Sequence, residues 1–289
     1  MGDCVIERIR TYLAFVRFSH SVFALPFALT GALLAAREQP LSRSRVAWIV
    51  LAMVAARSAA MGFNRLVDAR YDAGNPRTAM RELPRGAMTS TEATVFVIVS
   101  SVVFVFASWN LSTLCGLLSP IALAIVFWYS LAKRYTAYTQ AFLGLAMAVA
   151  PVGGWLAANG AINRWEPWLL GAAIGLWVGG FDVLYACQDY VFDRAHGLRS
   201  IPVRFGIEKS LLISRAMHVA TIVCMIALAP VVPLGPIYLA GVALVAALLI
   251  YEQSLVSSSD LSQVKRAFDM NGYVGILYFM TTAAAVFLG

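Results

Sequence analysis

Two aspartate pairs spaced four residues apart, Asp68 with Asp72 and Asp189 with Asp193, stand at the ends of long apolar segments, each just before a basic, proline-containing loop. In a helix that spacing puts both carboxylates on one face, about 6 Å apart along the axis, so each pair can meet a single cation. Asn64 lengthens the first pair into a ladder of amide and carboxylates at i, i+4 and i+8. Asp182 and Tyr185 precede Asp189 at a spacing expected to share its helical face, with Asp193 one turn further. Neither motif holds histidine or cysteine, which argues against zinc or a redox metal. An oxygen-only set suits magnesium, which keeps several waters and is completed by substrate phosphates.

The neighbouring bases supply the rest of such a site. Arg77, Arg81 and Arg85 follow the first pair, Arg199 and Arg204 follow the second, and Lys133 with Arg134 close the fourth apolar segment. Arginine forks match phosphate oxygens in bidentate fashion. A bland alternative is that each acid merely pairs with nearby arginines as a loop brace. That reading fits one motif better than two. The order also recurs: acid pair, then Arg81-Glu-Leu-Pro84-Arg-Gly86 in the first case and Arg199-Ser-Ile-Pro202-Val-Arg-Phe-Gly206 in the second. The repeat implies two related halves that deliver acids to one polar chamber from opposite sides.

The elements that must position these groups are membrane helices. Hydrophobic residues make up 60% of the chain and charged residues 13%, and mean hydropathy is +0.75, far from soluble averages. At about 20 apolar residues per span, about nine spans are expected: 18–36, 45–66, 92–109, 112–131, 138–158, 165–187, 209–229, 234–252 and 269–288. The fold class is therefore all-α, a polytopic bundle around a central cavity, with residues 1–289 forming a single membrane-embedded domain. Basic residues stay with cytoplasmic loops. Arg8, Arg10, Arg17, both motif loops, Lys133, Arg134, Lys265 and Arg266 fall on one side, against Arg37, Arg43, Arg45 and Arg164 on the other. This places the N-terminus and both acid motifs in the cytoplasm. The formal charge of +7 reflects that bias and implies no nucleic-acid partner. The start shows no cleavable leader pattern, and Cys4, Cys115, Cys187 and Cys224 have no metal or redox spacing.

A magnesium diphosphate site within a membrane bundle points to a lipid-linked diphosphate. The motifs carry a resemblance to match. Asn64-x3-Asp68-x3-Asp72, the Asn75-Pro-Arg-Thr and Arg81-x-Leu-Pro-x-Gly86 segments, Tyr129-Ser-Leu-Ala-Lys133-Arg134, and Tyr185-Ala-Cys-Gln-Asp189 through Gly197-Leu-Arg199-Ser resemble the UbiA superfamily of intramembrane aromatic prenyltransferases. Segments 18–27, 180–189 and 192–206 are similar to its bacterial group labelled 4-hydroxybenzoate polyprenyltransferase. Some relatives of that group serve menaquinone synthesis through the futalosine route. Many members carry an aspartate directly after the motif asparagine. This chain has Arg65 there, which leaves the first acid set one carboxylate short.

The resemblance implies Mg2+ held by Asn64, Asp68, Asp72, Asp189 and Asp193, and a polyprenyl diphosphate bound also by Arg77, Arg81, Lys133, Arg134 and Arg199. It implies loss of diphosphate to give an allylic cation, attack by a ring carbon ortho to a phenolic hydroxyl of a small aromatic acid, and loss of the ring proton. That is a step in ubiquinone or menaquinone biosynthesis in a bacterial cytoplasmic membrane. Asp182 is a candidate for the acceptor hydroxyl or ring proton. His20, Tyr129 and Tyr185 are candidates for lining the acceptor and cation, as are Phe63 and Phe192 by their ring faces. Prenylation of haem or a chlorophyll precursor is an alternative. A secondary transporter also uses intramembrane acids, but its sites lie near the midplane beside broken helices, whereas these acids lie at helix ends.

Overall fold

The computed structural model describes the backbone of residues 2–16, 18–37 and 40–288, and the side chains of residues 7–8, 10–16, 25–37 and 40–288. Among these residues there are helices and no strands. Eight helices are long and apolar enough to cross a membrane. They are α3 (Arg43–Gly74), α4 (Ser90–Leu111), α5 (Thr113–Tyr135), α6 (Thr139–Asn159), α7 (Glu166–Ala186) with its continuation to Ala195, α10 (Ile207–Val231), α11 (Pro236–Ser254) and α12 (Val264–Leu288). The remaining expected span falls on α2 (Phe18–Ala35), which contributes the apolar stretch Leu25–Ala35.

One element was not expected. Helix α1 (Gly2–Phe15) has 14 residues, about 21 Å, too short for a hydrocarbon core of about 30 Å. It lies against the polar end of the bundle instead. Phe15 and Val16 pack with Met88 and Ala93, and Tyr12, Leu66, Leu83 and Phe96 complete that small cluster. Arg8 pairs with Glu92 at 2.7 Å. Glu92 also closes a capping box with Thr89 that fixes the start of α4.

Small residues set the spacing of the central helices. A Cβ on Gly31 would collide with the Pro151 carbonyl oxygen, and one on Gly154 with that of Ala28, so α2 and α6 meet backbone to backbone, a contact that only small residues permit. Trp177, Phe27, Tyr238 and Tyr278 fill the main core. Their polar atoms are matched: Trp177 Nε1 donates to Asn271 Oδ1 at 2.6 Å, and the Tyr238 hydroxyl donates to the Met225 carbonyl at 2.9 Å. In hydrocarbon an unmatched group would be costly.

Length explains where the first acid motif emerges. Helix α3 has 32 residues, about 48 Å of rise, so it outruns the hydrocarbon and carries Asn64, Asp68 and Asp72 on its last turns. The second motif sits differently. Helix α7 stops at Ala186, a 3-10 turn covers Cys187–Asp189, and α8 (Tyr190–Ala195) and the short α9 (Ile201–Phe205) follow. The expected single helical face through Asp182, Asp189 and Asp193 is thus interrupted, because a 3-10 turn advances by three residues rather than 3.6. Each motif loop uses a glycine at positive φ where the two sequences align, Gly86 at 72° and Gly206 at 80°. Side chains with a Cβ rarely adopt that region.

Candidate active site

The ends of α3, α5 and α7 converge, and with them the acids and bases named from sequence. Lys133 Nζ reaches Asp68 Oδ2 at 2.6 Å, and Arg134 reaches Asp68 Oδ1 at 3.1 Å and the Val67 carbonyl at 2.6 Å. Asn64 Nδ2 donates to the same carboxylate at 3.4 Å. Arg81 holds Asp72, with one nitrogen 2.8 and 2.7 Å from its two oxygens. Arg77 crosses between motifs. Its Nε and Nη2 donate to the two oxygens of Asp189 at 3.2 and 2.7 Å, and its Nη1 donates to the Tyr185 hydroxyl at 3.1 Å. Burial works against the charge of Arg77, but Asp189 and Tyr185 more than offset it and hold its pKa above the ordinary arginine value.

Other residues fall nearby without joining that network. Asp193 lies within electrostatic range of Asp189, Lys133 and Arg77. Arg199 braces the loop rather than the acids: its backbone N–H donates to the Lys133 carbonyl and its Nη1 to the Tyr135 carbonyl, both at 2.8 Å. Arg204 stacks over Tyr138 and Phe205, 5.2 Å from each ring centre. Arg85 is exposed. Arg65 is buried on α3. Phe63 stacks on Phe127 and Phe192 on His196. The side chain of His20 lies outside the described residues.

Magnesium fits these residues in pairs rather than as a cage. Among the described residues, no three His, Cys, Asp or Glu side chains cluster closely enough to hold an ion by themselves. Magnesium needs only one or two carboxylates when phosphate oxygens and water complete its shell. The sets Asp68 with Asp72 and Asp189 with Asp193 offer that hard-oxygen chemistry. In the structure the acids Asp68, Asp72 and Asp189 are instead met by basic side chains.

Below the acids lies a cavity of about 750 Å3 between α3, α4, α5, α6 and α7, with walls almost wholly apolar. Arg57 and Tyr129 are its polar lining nearest the acids. Arg57 precedes Asn64 by seven residues on the same helical face, about 10 Å deeper. Tyr129 precedes Lys133 by one turn and lies within electrostatic range of Arg57, Asp68 and Asp182. Arg57 Nε is buried with no hydrogen-bond partner. The sequence reading passed over this residue, although an arginine inside an apolar span is a functional signal by default. Tyr71 was also missed: Lys133 and Arg134 lie 5.7 and 5.5 Å from its ring centre.

Comparison with known proteins agrees with this arrangement. The family model for the UbiA prenyltransferase family matches residues 24–281. A relative from Citrobacter koseri, named 4-hydroxybenzoate octaprenyltransferase, is 33% identical over 246 residues, covering 82% of each chain. A UbiA homologue from Aeropyrum pernix K1, solved in its apo form, superposes with a TM-score of 0.84 at 37% identity, over 91% of this chain and 96% of that one. A UbiA homologue from Archaeoglobus fulgidus bound to GPP and Mg2+ shares the fold, with a TM-score of 0.71 at 19% identity over 96% and 99% of the two chains. A multi-pass membrane bundle with this match is a membrane-embedded aromatic prenyltransferase, and the chain belongs to the UbiA prenyltransferase family.

Proposed function

We propose that this chain transfers a polyprenyl group from polyprenyl diphosphate to a ring carbon of a hydroxylated aromatic acid, of the 4-hydroxybenzoate or dihydroxynaphthoate type. The reaction serves ubiquinone or menaquinone synthesis at the cytoplasmic face of a bacterial inner membrane. The observation that carries this reading is Arg57: a buried guanidinium atom without a partner, at the wall of an apolar cavity, about two helical turns below Asn64. A carboxylate fits an arginine fork in that position, and an acceptor lacking one would leave a costly charge unmatched. The name of the Citrobacter koseri relative and the GPP and Mg2+ of the Archaeoglobus fulgidus structure support the same acceptor and donor classes.

The chain's own groups divide the work. Asp68 with Asp72 and Asp189 with Asp193 would hold Mg2+, which when bound supplies positive charge to the departing diphosphate. Lys133, Arg134, Arg77 and Arg81 then turn from carboxylates to phosphate oxygens, and stabilise the charge that develops as the allylic carbon–oxygen bond breaks. The apolar cavity takes the isoprenoid tail and keeps water from the carbocation. Arg57 fixes the acceptor carboxylate, which presents the ring carbon ortho to the phenol. Asp182, in the field of Tyr129 and Asp189, receives the ring proton at a carboxylate oxygen.

The test is a transfer assay on purified protein in lipid, with one long-chain isoprenyl diphosphate and with 4-hydroxybenzoate or 1,4-dihydroxy-6-naphthoate offered separately. The expected result is product with one acid, lost on chelation and restored by Mg2+. Turnover of an uncharged phenol as fast as of either acid would refute the role of Arg57.

A further inference from the structure

Asp68 is neutralised by Lys133 and Arg134 of α5 and Asp72 by Arg81 of its own motif loop, but Asp189 is neutralised by a residue belonging to the other motif. Arg77 lies three residues beyond the end of α3. Its position is tied to the first acid set: its backbone N–H donates to Asn75 Oδ1 at 3.0 Å, and Thr78 Oγ1 beside it donates to the carbonyl of Asp72 at 3.1 Å. From there the guanidinium spends all three of its nitrogens on the second motif, two on Asp189 and one on Tyr185. It also lies 5.5 Å from the centre of the Tyr185 ring. Both oxygens that Asp189 could offer a metal are therefore taken by Arg77.

We propose that Arg77 is the resident counter-cation of the second acid set, so that a divalent ion gains Asp189 only after a diphosphate has drawn Arg77 away. The proposal rests on the metal and diphosphate reading above, and adds an order of binding to it. Asp189 with Arg77 is a closed pair at rest. The diphosphate offers the guanidinium a second anion of higher charge, and the freed carboxylate then completes its metal site beside Asp193. The first set must also give up its bases, but Arg81 follows Asp72 in its own motif loop and Lys133 and Arg134 lie on α5, so no contact between the two motifs is broken there. With no donor bound, the second metal is absent and the two motif loops stay pinned together.

Because Arg77 is partly exposed, with 36% of its side chain accessible, its removal leaves the buried core untouched. The experiment measures Mn2+ binding by electron paramagnetic resonance on the full chain in nanodiscs, without any phosphate compound, for the wild type, Arg77→Gln, Arg77→Lys and the double variant Arg77→Gln with Asp189→Asn. The expected result is Mn2+ affinity at the second set about tenfold higher in Arg77→Gln, the scale of one charged hydrogen-bonding pair, with a smaller gain in Arg77→Lys and none in the double variant. Adding geranyl thiodiphosphate, which resists ionisation, should bring the wild type to the same Mn2+ occupancy as Arg77→Gln. Equal Mn2+ binding by wild type and Arg77→Gln without the analogue would overturn the proposal while leaving the site reading intact. Failure of every protein to bind Mn2+ even with the analogue would overturn the metal and diphosphate reading itself, and this proposal with it.

Discussion

The two acid motifs share a sequence pattern and differ in construction. The first rides a single uninterrupted helix whose carboxylates are nearly buried, with side-chain exposures of 5% for Asp68 and 9% for Asp72. The second straddles a 3-10 turn, and Asp189 is 21% exposed. Burial and a continuous helix preset the first pair, because every backbone dihedral between Asp68 and Asp72 is fixed by helical hydrogen bonds. The second pair lies where the helix axis is interrupted and where the cation holding Asp189 comes from the other motif's loop. In one half the bases to be exchanged come from the same motif loop or from α5, and in the other the exchange breaks a contact between the two motifs.

Substitution should separate the two halves. Asp68→Ala and Asp189→Ala are both expected to lower transfer by about 100- to 1000-fold, the scale of a lost transition-state charge contact. Only Asp68→Ala also removes the acid that a part-buried lysine, Lys133, is paired with, so it alone should lower the unfolding temperature in detergent. Equal loss of stability in the two variants would erase the distinction drawn here. Arg57→Leu should raise KM for the aromatic acid about 10- to 100-fold, as expected for a lost charged hydrogen bond, and leave KM for the donor unchanged. A shift in the donor constant instead would move Arg57 out of the acceptor site. Lys133→Ala is expected to weaken donor binding by about tenfold with little effect on the acceptor, read from initial rates with each substrate varied in turn. Away from both motifs, Gly154→Ala should cost about 1–3 kcal/mol through overpacking against the Ala28 carbonyl. It should do so without changing metal dependence, as thermal unfolding and a magnesium titration would show.

The sequence by itself determined the class of fold, because a chain this apolar must bury its backbone hydrogen bonds in spanning helices. It also marked most of the residues that meet in the candidate site, since paired carboxylates and arginines at the ends of apolar spans are too costly to be incidental. The spacing Asn64, Asp68, Asp72 translated directly into geometry, because α3 is regular through all three. The same logic failed at Asp182, Asp189 and Asp193. No local signal in Ala-Cys-Gln-Asp marks a 3-10 turn there, and packing at the end of α7 decided it. Arg199 looked like a phosphate ligand by composition, yet its fork faces the Tyr135 carbonyl, a choice made by where the second loop crosses α5. Arg57 went unnoticed for a related reason. Its charge was visible in the chain, but its place at the wall of an apolar cavity depends on helices four to seven closing around it. Residues 112 positions apart, Arg77 and Asp189, meet only in the folded bundle. Pairing of that kind depends on the relative placement of two helix ends, which short-range periodicity does not encode.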